Sequence, residues 1–126
     1  FGQLRGGTPI IPLGDEYFGF MHSSKMIATP YSYGKVMYHY FMGAYTISNT
    51  PPFEVTRMAT APIMSKEIYS PSPFGKKVVF PGGFVIKGDK IYLALGKDDH
   101  EIWIITLDKE KVMSTLKPIT QEEEGA

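Results

Sequence analysis

The chain has 126 residues, and its 13 acidic and 13 basic residues balance to a formal net charge of zero. This length fits one domain with a real core, and the balanced charge creates no net field that would recruit nucleic acid or an anionic membrane. The chain contains no cysteine, which excludes disulfides, thiolate metal sites and a cysteine nucleophile. No apolar run approaches the roughly 20 residues of a membrane span.

Short apolar and aromatic segments fill the first half of the chain, and glycine or proline interrupts them, which is typical of β-strands. A turn is predicted at Gly14-Asp15, and residues 26–35 are predicted to form a loop. Helical periodicity with end caps appears nowhere, so we predict an all-β protein. The predicted strands of this half are 8–13, 16–22, 36–48 and 53–58.

Residues 80–107 form the most regular part of the chain, with three predicted antiparallel strands in succession. An irregular connection, residues 60–77, precedes this part. A charged loop, residues 97–101, separates the second strand from the third, and a β scaffold often displays a binding site on such a loop. The predicted strands of this half are 84–86, 91–95, 101–107 and 111–116.

The two halves repeat one order of features: a Gly-Gly pair, a strand, a Gly-Asp turn, a second strand and a polar cap. The two Gly-Asp turns lie 74 residues apart. This repeat predicts two four-stranded antiparallel β-propeller blades, packed face to face with their strands in chain order. The blades cover about 5–60 and 78–118, and 119–126 is an acidic tail that we expect to be frayed. An eight-stranded β-sandwich is the competing architecture, but the repeat has the same polarity in both halves.

Six short motifs follow one another in a fixed order along nearly the whole chain. They are Arg5-Gly6-Gly7-Thr8-Pro9, His22-Ser23-Ser24, residues 39–45, Pro62-Ile63, residues 78–83 and residues 95–99. Together they resemble the second half of the five-bladed propeller of the β-mannoside phosphorylases, glycoside hydrolase family 130. The sequence after residue 98 departs from the family pattern, which indicates a divergent branch.

The resemblance implies an inverting attack of phosphate or water on a β-mannosidic bond, with an aspartate as proton donor. That aspartate belongs to the other half of the propeller, so no residue of this chain is assigned a catalytic role. The resemblance implies that His22 and Arg5 bind phosphate, and that Asp99, Tyr38 and His39 bind the sugar. The expected partners are a mannoside-type sugar and inorganic phosphate, without a cofactor or metal, in the cytoplasm.

The same residues also have purely structural interpretations. Asp98 and Asp99 would form a solvated turn that Lys97 and His100 partly neutralise, and for Asp98 we prefer this interpretation. His22 would be a strand-end histidine bonded to a neighbouring backbone group.

Geometry limits two of these assignments. Neighbours in a strand point apart, so only one of Tyr38 and His39 can face a central cleft. A zinc site built from His22, His39 and His100 is a third interpretation, but their spacing is not that of a metal site.

Two blades cannot close a propeller ring, and they would leave an apolar face exposed. We therefore expect self-association or a missing N-terminal half, and no activity from this chain alone. The chain opens on Phe1 rather than Met, which agrees with a trimmed or longer parent chain. A non-catalytic glycan-binding or assembly module is the alternative function.

Overall fold

In a computed structural model, the chain folds into two antiparallel β-sheets that share one hydrophobic core. The structure describes residues 3–28, 34–63 and 78–119. The prediction of an all-β protein is confirmed. The elements are β1 (Gln3–Gly6), β2 (Ile11–Leu13), β3 (Glu16–Ile27), β4 (Met37–Ser48), β5 (Val55–Ala59), β6 (Val79–Lys87), β7 (Lys90–Lys97), β8 (Glu101–Asp108), α1 (Lys109–Ser114) and β9 (Leu116–Pro118).

The first sheet has the strand order β1-β3-β4-β5-β9, with β2 also pairing with β3. Strands β1 and β2 lie along the same edge of β3, opposite residues 21–24 and 16–18 respectively. They therefore form one interrupted strand. On its other side, β3 pairs with β4 along the full length of both strands, and this long hairpin is the frame of the first sheet.

The second sheet has the order β6-β7-β8. Its first hairpin turns at Gly88, whose φ of 61° lies in the left-handed region that glycine adopts at little cost. A bulge interrupts the pairing of β6 between Pro81 and Gly83. Proline has no backbone N–H to donate, so an irregular position on an edge strand is where a sheet can accept it.

Three phenylalanines join the two sheets. Phe18 and Phe20 project from β3, and Phe84 projects from β6 between them, with ring centroids 5.1–5.6 Å apart and interplanar angles of 76–84°. Such edge-to-face pairs each contribute about 0.5–1.5 kcal/mol beyond the burial of their area. The rest of the buried core is Met42, Ala44, Ala59, Val79, Ile91, Leu93, Leu95, Val112 and Leu116.

The prediction of a strand over residues 111–116 is wrong, because a helix, α1, occupies most of this segment. Asp108 caps it, since its side chain accepts a hydrogen bond of 3.0 Å from the Glu110 N–H. Val112 anchors the helix in the core. An aspartate just before the segment and a glutamate in the first turn were the available sequence signals.

The prediction of four strands in each sheet, in chain order, is also wrong. Strand β9 comes from the second half of the chain but pairs with β5, so Leu116 lies opposite Ala59 in the first sheet. The sheets consequently have six and three strands. The physical reason is that α1 turns the chain away from β8, and Leu116 is then buried in the core shared by the two sheets.

Strand β3 continues to Ile27, whereas its prediction ended at His22. His22 therefore lies within a strand rather than at its end. The predicted loop, connection and acidic tail lie partly outside the described residues, at 29–33, 64–77 and 120–126. Within the described ranges, no helix has the length and apolar character needed to cross a membrane.

Gly7 lies at a close approach between the sheets, where an added Cβ would come within 2.7 Å of both the Phe20 carbonyl oxygen and the Pro81 ring. We expect Gly7→Ala to lower the free energy of unfolding by about 1–3 kcal/mol, because overpacking forces the sheets apart. Gly6→Ala is the matched control, since a Cβ there meets nothing within 4 Å. Denaturant unfolding of both variants checks this, and equal losses would contradict it.

Candidate functional site

A small pocket opens beside the core, on the face of the first sheet that carries Phe18 and Phe20. Its volume is about 190 Å³. Alternation along β3 brings residues 22 and 24 to this face after residues 18 and 20. Residues of β1 and β4 lie opposite them in the register. The lining residues are Arg5, His22, Ser24, Tyr38 and Tyr40.

His22 is the most buried charged or polar residue of this pocket, with an exposed fraction of 7%. Its ring is stacked with that of Tyr40 at 6.1 Å between centroids, and it meets the Phe80 ring at 4.6 Å. His22 is therefore part of the packed interior. Its Nδ1 atom is buried and has no hydrogen-bond partner among the described residues. Burying such an atom without a hydrogen bond lowers the stability of the fold by about 1–3 kcal/mol. An unpaired group of this kind therefore needs a functional or structural explanation.

Burial lowers the pKa of His22 below 6.5, its ordinary value. A hydrogen bond to the Gly6 backbone acts in the opposite direction, and the positive charge of Arg5 lowers the pKa further. His22 is consequently neutral at pH 7. A neutral imidazole can donate from one ring nitrogen and accept at the other, whereas Arg5 keeps its charge at any physiological pH.

The pocket brings together three of the predicted site residues, Arg5, His22 and Tyr38, which come from three different strands. The resemblance assigned Arg5 and His22 to the same ligand, phosphate, and Tyr38 joins them here. Ser24 and Tyr40 also line the pocket and were not predicted. Their position two residues after His22 and Tyr38 was the available signal, because alternate strand residues share a face.

His39 does not line this pocket. It pairs with Lys25 in the register, one residue away from Tyr38 along β4, and therefore belongs to the opposite face of the first sheet. Its exposed fraction is 2%. Of the pair Tyr38 and His39, the pocket thus receives only the tyrosine.

The charged loop after β7 is anchored by a buried ion pair. Lys97 Nζ lies 2.8 Å from Asp98 Oδ2, and both side chains are almost fully buried. Asp98 Oδ1 also accepts a hydrogen bond of 3.0 Å from the Val78 N–H, and the Asp98 N–H donates to the Val78 carbonyl at 2.7 Å. Asp98 is thus the turn residue that we expected, but the picture of a solvated turn is wrong for it.

Asp99 is exposed at the tip of this loop. Asp98 and Asp99 have φ values of 56° and 57°, and the His100 N–H donates to the Lys97 carbonyl at 3.1 Å. Two successive left-handed residues are typical of a type I′ hairpin turn. The left-handed conformation costs a residue other than glycine roughly 1–2 kcal/mol, and such strain concentrates at functional positions.

The pocket and the Asp99 loop are connected through the start of β6. Asp98 is hydrogen-bonded to the backbone of Val78, and two residues later the Phe80 ring contacts the His22 ring. Asp99 is not a lining residue of the pocket. The candidate site therefore has two parts, a polar pocket and a separate exposed carboxylate, at either end of residues 78–80.

Within the described part of the chain, no group of three or more histidine, aspartate or glutamate side chains is arranged to hold a metal ion. The three-histidine zinc interpretation thus finds no support in the geometry.

Comparisons of the chain with protein-family models, with curated proteins and with solved structures found no match. The interpretation of the site therefore depends on its geometry and on the sequence motifs.

The lowered pKa of His22 predicts a pH-dependent stability. Because the unfolded chain binds more protons than the folded one near and below pH 6.5, the free energy of unfolding should fall as the pH is lowered from 7 towards 5. We expect His22→Gln to remove this part of the dependence, and the non-titrating Ser24→Ala to keep it. Urea unfolding across this pH range tests the prediction, and parallel profiles for the parent and His22→Gln would contradict it.

Proposed function

We propose that the chain is a carbohydrate-binding β domain of the mannoside phosphorylase type, whose polar pocket binds phosphate. On this proposal the two sheets correspond to propeller blades, the second of them lacking a fourth strand. The observation that carries the proposal is the meeting of Arg5, His22 and Tyr38 in one pocket. The family resemblance implied phosphate binding for the first two and sugar binding for the third, and the three residues lie on three different strands.

The chemistry of the pocket suits an anion. Arg5 offers a permanent charge and paired N–H donors that match a phosphate oxygen pair, and Ser24, Tyr38 and Tyr40 carry hydroxyl groups that can donate. Among the described residues, no carboxylate lines the pocket. A volume of about 190 Å³ is below that of sites for drug-sized ligands, and it favours phosphate with, at most, part of a sugar.

The second arginine of the chain is not available for this role. Arg57 Nη2 lies 2.6 Å from Glu16 Oε1. Burial alone would raise the pKa of Glu16, but hydrogen bonds from Thr56, Thr46 and Arg57, with the charge of Arg57, lower it below its ordinary value. Glu16 thus stays ionised and paired at neutral pH. Of the two arginines, only Arg5 lines the polar pocket.

The sugar would be held at the pocket rim. Tyr38 is 58% exposed, so its ring can stack on the apolar face of a pyranose. The exposed Asp99 carboxylate is suited to accept charge-assisted hydrogen bonds from vicinal hydroxyl groups. His39 lies on the other face of β4 and has no part in this proposal.

The proposal includes no proton donor on this chain, so we expect binding without turnover unless another chain or a further part of the protein supplies one. The proposed location is the cytoplasm. Non-catalytic glycan binding would show as sugar affinity that does not respond to phosphate.

Arg5→Ala should weaken the binding of inorganic phosphate about ten- to a hundredfold, because one charge-assisted hydrogen bond is worth about 1.5–3 kcal/mol. Lys25→Ala is the matched control, since it removes the same charge from an exposed position opposite His39. Isothermal titration calorimetry with phosphate measures the difference. If both variants lose the same affinity, only net charge is involved, and the pocket assignment fails.

Asp99→Asn should weaken the binding of methyl β-mannoside about tenfold while leaving phosphate binding unchanged. Asparagine retains the shape of the side chain and tolerates the left-handed backbone, so the loop should keep its conformation. Asp15→Asn is the control, because Asp15 also lies exposed in a turn, at the Gly14-Asp15 hairpin. Binding measured by NMR titration that is the same for Asp99→Asn and the parent would contradict the sugar role.

A further inference from the structure

The side of the second sheet that faces away from the core is apolar and exposed. We call it the outer face and define it by Val85, Tyr92, Ala94, Ile102 and Ile104. Ile102 and Ile104 are 87% and 73% exposed, and Val85 is 61% exposed.

Strand β8 is apolar on both of its sides. Between the two exposed isoleucines, Trp103 projects to the other side, where it and Ile105 pack against the core. An antiparallel strand with one solvated side normally alternates apolar with polar residues, whereas a strand apolar on both sides is typical of one that is covered on both. The sequence of β8 therefore indicates that something covers the outer face.

A row of small residues lies beside the isoleucines. Ala94 and Gly96 pair with Ile104 and Ile102, and Gly83 of β6 pairs with Ala94. A Cβ added at Gly83 or Gly96 would meet nothing within 4 Å, and neither glycine has a positive φ. Glycine inside a strand costs roughly 0.5–1 kcal/mol relative to alanine. Gly83 lies at the bulge of β6, which accounts for a glycine there. For Gly96, nothing in the described part of the chain explains this cost, whereas the close approach of another surface would.

The outer face thus has a ridge, Ile102 and Ile104, next to a shallow groove, Gly83, Ala94 and Gly96. A two-fold axis through this face would place the ridge of one copy in the groove of the other, which is the requirement of an isologous contact. Charged residues of both signs, Lys87, Lys90 and Asp108, lie across one end of the sheet in the register. Among the described residues, the centre of the face carries no charge that would repel an identical copy.

We propose that the outer face is the contact surface for a second copy of this chain, in an isologous dimer. The proposal is independent of the ligand assigned to the pocket. Three strands spaced 4.8 Å apart and about six residues long make a face of roughly 15 by 20 Å. Two such faces together cover roughly 600 Å², which is the size of a weak, transient interface. The dimer should consequently be reversible, with dissociation in the micromolar range.

Sedimentation velocity of the full chain over a concentration series tests the proposal. The parent should shift from monomer to dimer at micromolar concentrations. Ile104→Lys should raise the dimer dissociation constant at least a hundredfold. Val36→Lys is the matched control, because Val36 is 68% exposed but precedes β4 in the first sheet, and it should dimerise like the parent.

Gly96→Val separates dimerisation from folding. The new side chain enters open space in the monomer, so the unfolding temperature should stay the same or rise, while the filled groove weakens dimerisation more than tenfold. A parent that remains monomeric through high micromolar concentrations overturns the proposal, as does a dimer that both Ile104→Lys and Gly96→Val leave intact.

Because the chain lacks cysteine, an Ile104→Cys, Gly96→Cys double variant adds a geometric test. Oxidation should give closed dimers, and a ladder of longer species would overturn the two-fold arrangement.

Discussion

The packing of Phe84 against Phe18 and Phe20 holds the two sheets together, and the candidate site depends on it. Phe84 belongs to β6, and the same strand places Phe80 against His22 and Pro81 close to Gly7. Its first residues are in turn fixed by Asp98 in the loop after β7. One edge strand therefore sets the distance between the sheets, the depth of the pocket and the position of the Asp99 loop. The bulge between Pro81 and Gly83 separates these contacts along the strand.

The elements that the sequence predicted well are those whose pattern is complete within one segment. β4 and β8 lie within one residue of their predicted bounds, because apolar alternation and flanking turns define them locally. The failures involve non-local pairing. β3 continues through the polar residues after His22 because β1 and β4 pair with it on both sides, and backbone pairing outweighs composition there. β1 and β9 are short, and only their partner strands define them.

The site, like the fold, was predictable where the signal lies within one strand and was not predictable where it depends on non-local contacts. Strand alternation correctly separated Tyr38 from His39, and it could have added Ser24 and Tyr40. The burial of Lys97 and Asp98 could not be predicted, because it depends on Val78 crossing the loop from 20 residues earlier in the chain. A dense polar cluster looks the same in sequence whether it is displayed to solvent or used as an anchor. Here it does both, with Asp98 as the anchor and Asp99 exposed.

The crossing of β9 connects the architecture to the outer face. By pairing with β5, β9 extends the first sheet instead of becoming the fourth strand of the second, and β8 is left as an edge among the described strands. An exposed edge strand with high β-propensity and apolar residues on both sides favours association with other strands unless a partner covers it. The described chain buries Trp103 and Ile105 but leaves Ile102 and Ile104 exposed. The apolar residues that made β8 easy to predict are thus buried on one side of the strand only. A dimer through the outer face would bury those on the other side.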